Sequence, residues 1–317
     1  MTHNEYRAWV DAENAKRDEP LPKLAISFSG GRTSAVMTKK LWDAYKFKKD
    51  ILITFANTGC EHPATLDFVF QCESEFGWPV VWLEAVVDPR KGKGIRHRVV
   101  DYQASSRNGE PFEAAIAKYG IFNKVSPNCT GRLKVDVMNS FLSEYGFYRG
   151  KRLNYKTAIG IRADEVDRVS QNAMAKIGAI YPLVDMNWSK RDVGLEIARW
   201  GFDLRIPGDH FGNCTWCWKK SLRKLMTVAR QSPEAFDFPA RMEDKHGADE
   251  INKNRNGGRD KAHFFREHMS AMELVEMSRV RVFREYTDDA YEHGWERELD
   301  FGSSCGESCE IGADLEY

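Results

Sequence analysis

Ser29-Gly30-Gly31-Arg32-Thr33-Ser34 follows the short apolar run Leu24-Ala25-Ile26-Ser27-Phe28 and precedes a helical stretch from Ala35 to Lys48. A strand that turns through two glycines into a helix bares backbone N–H groups at the positive end of a helix dipole, which is a cradle for phosphate oxygens. Glycine is needed there because only a residue without Cβ turns so sharply and lets an anion approach the backbone. The hydroxyls of Ser29, Thr33 and Ser34 and the guanidinium of Arg32 add donors, the last in a fork that suits phosphate. The spacing is neither the Walker pattern G-x-x-x-x-G-K-[ST] nor the dinucleotide pattern G-x-G-x-x-G. A plain glycine turn between strand and helix is the other reading these six residues allow.

Working outward, apolar runs alternate with helical stretches from residue 21 to about residue 230, the pattern of a parallel sheet covered on both faces. The expected strands are Leu24–Phe28, Ile51–Ala56, Val80–Leu83 and Thr157–Ile161, with helices over Ser34–Phe47 and Thr65–Phe76. Ser189 and Asp192 form an S-x-x-D capping box for a further helix that Gly201 would stop. The expected division is a charged lead-in (1–20), a nucleotide-binding α/β domain (21–230), a charged helical extension (231–301) and a cysteine-bearing tail (302–317). Within the extension, 233–262 carry a glycine pair and read as an insertion or loop, and 264–293 read as helical.

Composition narrows the function classes. The 317 residues hold 47 Lys and Arg against 47 Asp and Glu, so no global field draws the chain onto nucleic acid or an anionic membrane. Residues 1–20 lack the apolar centre of a signal peptide, and no run approaches the ~18 apolar residues of a membrane span. The expectation is a cytoplasmic protein with no membrane partner. In that compartment seven cysteines, an odd number, suit metal binding, redox work or the free state better than disulfides.

Other segments bear on chemistry. Asn57-Thr58-Gly59 follows the second expected strand, and ligands of an open parallel sheet sit at its carboxyl ends, so this loop should lie beside Ser29–Ser34. Gly160-Ile161-Arg162-Ala163-Asp164-Glu165 and then Arg168 follow a later strand. Buried arginines call for an anion, either a phosphate or sulfate ligand or the neighbouring carboxylates. Cys129, in Asn128-Cys129-Thr130-Gly131-Arg132-Leu133-Lys134, and the C-x-x-C of Cys214 and Cys217 supply three thiols; Cys305 and Cys309 in the tail could supply a fourth. Four thiolates suit a tetrahedral zinc or a [4Fe–4S] cluster, and spacing alone does not separate the two. Trp216 and Trp218 are expected to shield such a site from water, and His62 and His210 to be structural. Cys72 reads as packing. The basic run Arg90–Arg98 is either solvated or a phosphate-binding loop.

These motifs, in this order, resemble those of the adenine nucleotide alpha-hydrolase-like superfamily, whose S-G-G-x-x-S pyrophosphate (PP) loop Ser29–Ser34 matches. The closest pattern is that of the phosphoadenosine phosphosulfate (PAPS) reductases. Asn57-Thr58-Gly59 resembles their D-T-G segment with asparagine for aspartate. Gly160-x-Arg162 with Glu165 and Arg168 resembles their G-x-R-x-x-E…R, where the arginines meet the substrate's anionic groups. The stretch from Cys129 to Arg132 and Lys134 is similar to their cysteine and basic segment, although the usual Cys-Cys pair has Asn128 in its place. Ser304-Cys305-Gly306 resembles their terminal E-C-G, without its glutamate and histidine.

The resemblance implies an α/β fold with a parallel twisted sheet, binding an adenine nucleotide (PAPS, APS or ATP). It implies a [4Fe–4S] cluster, with zinc as the alternative, on Cys129, Cys214, Cys217 and Cys309. Cys305 would attack the sulfate sulfur, and an external thiol such as thioredoxin or glutaredoxin would release sulfite. A homodimer is compatible with it. Two other functions stay open: an ATP-dependent sulfurtransferase that thiolates nucleic acid, and a nucleotide sensor without turnover.

Overall fold

The computed structural model describes residues 1–253 and 261–288. The chain opens with α1 (His3–Asn14), β1 (Lys23–Ser27), α2 (Arg32–Tyr45), β2 (Asp50–Asn57), α3 (Pro63–Phe76), β3 (Val80–Val87) and β4 (Ile95–Val100). It continues through α4 (Glu110–Tyr119), α5 (Asp136–Glu144), β5 (Tyr155–Ala158), α6 (Gln171–Ile177), β6 (Ala179–Ile180), α7 (Pro182–Asp185) and α8 (Lys190–Ile197). The described part ends with α9 (Leu222–Gln231), α10 (Asp237–His246), α11 (Glu250–Lys253) and α12 (Ala271–Val280).

The six strands form one sheet in the order β4-β3-β2-β1-β5-β6. All neighbours run parallel except β3 and β4. Every residue of β2 is buried, as a strand with helices on both faces requires. Alternate residues feed two cores: Leu24, Ile26, Ile51, Ile53 and Phe55 face one layer, while Ala25, Leu52, Ala56, Val81 and Leu83 face the other. The fold class is therefore the expected one, with the glycine loop at the carboxyl end of a central strand.

Several boundaries differ from expectation. The basic run after β3 is partly sheet: Ile95–Val100 pairs antiparallel with β3, Arg98 against Glu84 and Arg96 against Val86. Its cations are engaged locally, Arg90 with Asp88 and Arg98 with Glu84. The strand expected over Thr157–Ile161 is centred earlier, at Tyr155–Ala158. The Ser189–Asp192 capping box is present, but the helix stops at Ile197, before Gly201. Residues 233–253, expected as loop, contain α10 and α11, with Pro239, Met242, Glu243 and His246 of α10 buried. Of the continuous helix expected over 264–293, the described residues, which end at 288, hold Ala271–Val280 and a short turn at Arg266–His268. The charged start is a docked helix, burying Tyr6 and Val10 and pairing Arg7 with Asp50.

Candidate functional site

The glycine loop is built against α3. Gly30 has φ +81°, and a Cβ there would stand 2.7 Å from Thr65 Cγ2 and 3.0 Å from Val69 Cγ2, so glycine alone fits. Gly31 caps α2, leaving the first N–H groups of that helix at the loop. Ser34 Oγ donates to the Gly31 carbonyl (3.0 Å) and accepts from Ser29 N (3.2 Å), so Ser29 Oγ, 2.9 Å away, donates to it as well. Thr33 Oγ1 accepts from Arg162 Nη1 at 3.0 Å. Arg32 goes elsewhere: its guanidinium forks onto Asp203 (2.7 and 3.1 Å) and also donates to the Leu204 carbonyl.

The Asn57-Thr58-Gly59 loop does lie at the adjacent strand end, but its polar groups face inward. Fully buried Asn57 donates to Glu84 Oε1 (2.7 Å) and the Ser106 carbonyl (2.9 Å), and accepts from Gly59 N. Glu84, also fully buried, accepts from Ser106 N, Ser106 Oγ and Arg98. Aspartate at position 57 would set a second carboxylate against Glu84, which explains the departure from D-T-G. Gly59, at φ +79°, passes 2.9 Å (from its hypothetical Cβ) beside Gly109 N, a close crossing of two backbones.

Glu61 is a site residue that motif reading missed. Its carboxylate accepts from Thr58 N and Oγ1 (both 2.9 Å), stands 3.7 Å from Lys134 Nζ, and its backbone pairs with Cys214. It thereby ties together three segments far apart in the chain. The only signal in the sequence was its place in the N-T-G-C-E-H-P loop.

At the end of β5, Gly160 and Ile161 lead to Arg162, which is 4% exposed. Arg162 bridges Thr33 to Asp164 (3.0 Å) and Glu165 (3.5 Å), and Arg168 pairs with Glu165. The arginines thus form a buried cluster with their own carboxylates, touching the glycine loop at Thr33.

Cys129, Cys214 and Cys217 line one small cavity of about 20 Å³, with Thr58, Thr130 and Lys134 among its lining residues and Phe112, Leu133, Trp216 and Trp218 as apolar wall. Lys134 reaches this cavity because Gly131–Val135 is a π-helical turn that buries Leu133 and Lys134; Arg132 instead pairs with Asp136 (2.9 Å). The C-x-x-C loop is held from within. Lys220, 2% exposed, donates to the carbonyls of His210 (2.7 Å), Cys214 (3.0 Å) and Thr215 (2.8 Å). None of the five described cysteines is in a disulfide. Among the described residues no group of three or more His, Cys, Asp or Glu is drawn tightly enough to hold one metal ion. Cys305 and Cys309 lie outside the described residues.

The two histidines have structural partners. His62 Nδ1 accepts from Ala64 N at the start of α3, and His210 Nε2 contacts Gln231 Oε1. Burial lowers the pKa of each. Cys72 is wholly buried in α3, as a packing residue should be.

With this geometry in hand the chain can be compared with known proteins. No protein-family model matches it. Over 300 residues it is 32% identical to the uncharacterized nin region protein ORF290 of Escherichia phage lambda, an alignment covering 92% of this chain and 96% of that protein. The chain belongs to the family of that phage protein. Among solved structures, PAPS reductase from Candida auris, in a phosphate complex, aligns with 64% of this chain and 82% of its own, at 16% identity and a TM-score of 0.36. The U34-tRNA thiolase NcsA from Methanococcus maripaludis, with its [4Fe–4S] cluster, aligns with 87% of this chain and 78% of its own, at 16% identity and a TM-score of 0.34.

In this member of the ORF290 family a second cleft, of about 590 Å³, backs onto the C-x-x-C loop. Trp216 belongs to its lining and to that of the cysteine cavity; Cys60, Arg107, Phe238 and Arg241 line the cleft. Burial and then the neighbouring Cys214 push the Cys60 thiol well up, which disfavours its thiolate form. No helix among the described residues is long and apolar enough to cross a membrane.

Proposed function

We propose that this protein is an adenine-nucleotide-dependent enzyme of sulfur chemistry, resembling the PAPS reductases, with a metal–sulfur centre on Cys129, Cys214 and Cys217. One observation carries the reading: thiols from two distant segments share one cavity with Lys134 and with Thr58 of the loop at the carboxyl end of β2. The residue set, three thiols with Lys134 in the same lining, is the kind that suits a thiolate-bound metal–sulfur group. A [4Fe–4S] cluster there would supply electron transfer or a labile sulfur. A single zinc would need the thiols drawn closer together, to ~2.3 Å from one centre.

In this reading the N–H groups of Gly30–Thr33, with the serine hydroxyls, bind the nucleotide phosphates, and Arg162 steadies the loop through Thr33. Arg168 supports Arg162 through Glu165, and Asn57 shapes the neighbouring loop. Cys305 then attacks the sulfate sulfur as a thiolate, the S–O bond to the nucleotide phosphate breaks, and an external dithiol later expels sulfite and is oxidised to its disulfide.

A second reading, thiolation of nucleic acid, draws on the cleft behind the cysteine loop. Arg107 and Arg241 line it beside the Trp216 and Phe238 rings, a combination that suits bases and backbone phosphates. The deciding experiment uses anaerobically purified full-length protein. Iron, sulfide and visible absorption are measured for wild type and Cys214→Ala, followed by sulfite release from PAPS or APS with a dithiol. Pyrophosphate release from ATP that depends on tRNA or DNA would establish the second reading. Tight nucleotide binding with neither product would leave the sensor.

A further inference from the structure

The cleft of about 590 Å³ behind the C-x-x-C loop has room for a small metabolite. Gly59 to Pro63 of its lining leave the carboxyl end of β2, the edge of an open parallel sheet at which ligands bind. Its floor holds polar atoms that the chain leaves unused. Thr215 is 9% exposed; its backbone N–H and carbonyl are engaged, yet its hydroxyl has no hydrogen-bond partner among the described residues. That hydroxyl is not sealed in the interior, so it opens to the cleft that Thr215 lines. His62 accepts from Ala64 N at Nδ1, so its neutral ring carries the proton on Nε2, and this N–H meets no acceptor among the described residues.

The rim carries both signs of charge, and they do not pair with each other. Arg107 and Arg241 hydrogen-bond only to backbone carbonyls, those of Tyr102 (3.0 Å) and Asn108 (3.2 Å). The carboxylates of Glu234 and Asp237 have no ion pair or hydrogen bond among the described residues. Glu61 is already balanced by Lys134. Two guanidiniums and two carboxylates thus face one cleft, with Pro63, Phe211 and Phe238 as apolar wall. Such a cleft is close to neutral as a whole. It draws a polyanion less than it draws a small ligand bearing one charge of each sign.

We propose that this cleft binds a zwitterionic α-amino acid with an uncharged side chain. Its carboxylate meets Arg107 and Arg241, its ammonium meets Glu234 and Asp237, and the Thr215 hydroxyl and His62 Nε2–H lie at the floor beneath it. The guanidinium fork matches a carboxylate, and an ionised carboxylate accepts from an ammonium. This goes beyond the readings above and does not depend on any group held by the cysteines.

The test uses full-length protein and the common L-amino acids, singly, as probes, read by calorimetry and ligand-observed NMR. At least one amino acid with an uncharged side chain should bind at millimolar concentration or below. Its α-amide lacks the carboxylate and its N-acetyl derivative lacks the ammonium; each should bind about tenfold more weakly, the worth of one charge-assisted hydrogen bond. Arg241→Gln and Glu234→Gln, both at exposed positions, should weaken the parent amino acid by a similar factor. Arg241→Gln should leave the α-amide unaffected, and Glu234→Gln the N-acetyl derivative. Thr215→Val removes a hydroxyl that makes no internal bond, so it should cost about two- to tenfold in affinity at an unchanged unfolding temperature. No amino acid bound at millimolar concentration, or binding that none of the three variants weakens, would overturn the proposal. Single-stranded RNA held through Arg107 and Arg241, and displaced by no amino acid, would overturn it as well.

Discussion

Asn57 Nδ2 donates to Glu84 Oε1 across 2.7 Å, with both side chains fully buried. The amide is matched to the carboxylate: it gives two protons, to Glu84 and the Ser106 carbonyl, and takes one from Gly59 N. Asn57→Asp replaces a donor by a like charge in the same place, so one of the two acids must take up a proton or the loop must open. We expect a loss of about 3–5 kcal/mol near neutral pH, the usual cost of an uncompensated buried charge, with partial recovery on acidification. Asn57→Asp combined with Glu84→Gln restores a donor between the two positions and should recover much of the loss. Urea unfolding of the two single variants and the double variant measures this; additive losses would mean that the residues do not act as a pair.

The same residues show how much was legible in the sequence. The parallel sheet and the place of the glycine loop follow from apolar runs and punctuation, which are local signals; the strand order does not. That Cys214 and Cys217 act together was legible because C-x-x-C is a dense motif, and Cys129 lines the same cavity. What escaped depends on pairing at a distance. Arg32, read as a phosphate donor, pairs with Asp203, and Arg98, in a run read as solvated or phosphate-binding, lies beside Glu84 across β3 and β4. Glu61 belongs to no dense motif, yet it joins Thr58, Lys134 and the backbone of Cys214. Periodicity also failed for α10, whose buried face includes Pro239, Glu243 and His246, residues that read as loop or surface.

Gly30 is constrained twice, by φ +81° and by the 2.7 Å approach to Thr65 Cγ2. Gly30→Ala should therefore cost about 1–3 kcal/mol in backbone strain plus whatever displacement of α3 the contact demands. Nucleotide affinity, measured by calorimetry with ATP, PAPS and APS, should fall at least tenfold. Adding Thr65→Ser removes Cγ2 and should return part of the stability while leaving the strain. Unchanged affinity in Gly30→Ala would mean that the loop is a plain turn.

Lys220 closes the C-x-x-C loop from inside with three carbonyl contacts. Lys220→Met keeps the chain length and leaves those carbonyls short of donors, at a cost of about 2–4 kcal/mol. The expected signature is local: amide exchange speeds up over residues 210–220 in iron-free protein, and metal uptake falls, while nucleotide affinity stays within a factor of about two. Lys219→Met is the control. Loss of nucleotide binding in step with metal uptake would instead mark Lys220 as a general folding residue.

Acid should loosen the amino-terminal helix first. His3 contacts Tyr145 Oη at 3.2 Å and packs edge-on to its ring, and burial, aided by the Arg7 charge, lowers its pKa from 6.5 to about 4. The folded protein thus prefers the neutral imidazole. When the chain unfolds, His3 returns to the ordinary value and takes up a proton at any pH between the two. The sign follows from linkage: this contribution is complete above pH 6.5 and is lost progressively as the pH falls towards 4. His3→Phe keeps a ring against Phe141 and Tyr145 but cannot titrate. Urea midpoints taken at pH 7.5 and at pH ~5, on either side of the histidine range, should therefore converge in the variant relative to wild type. The same difference between the two pH values in both proteins would show that His3 is exposed or that α1 is not docked through it.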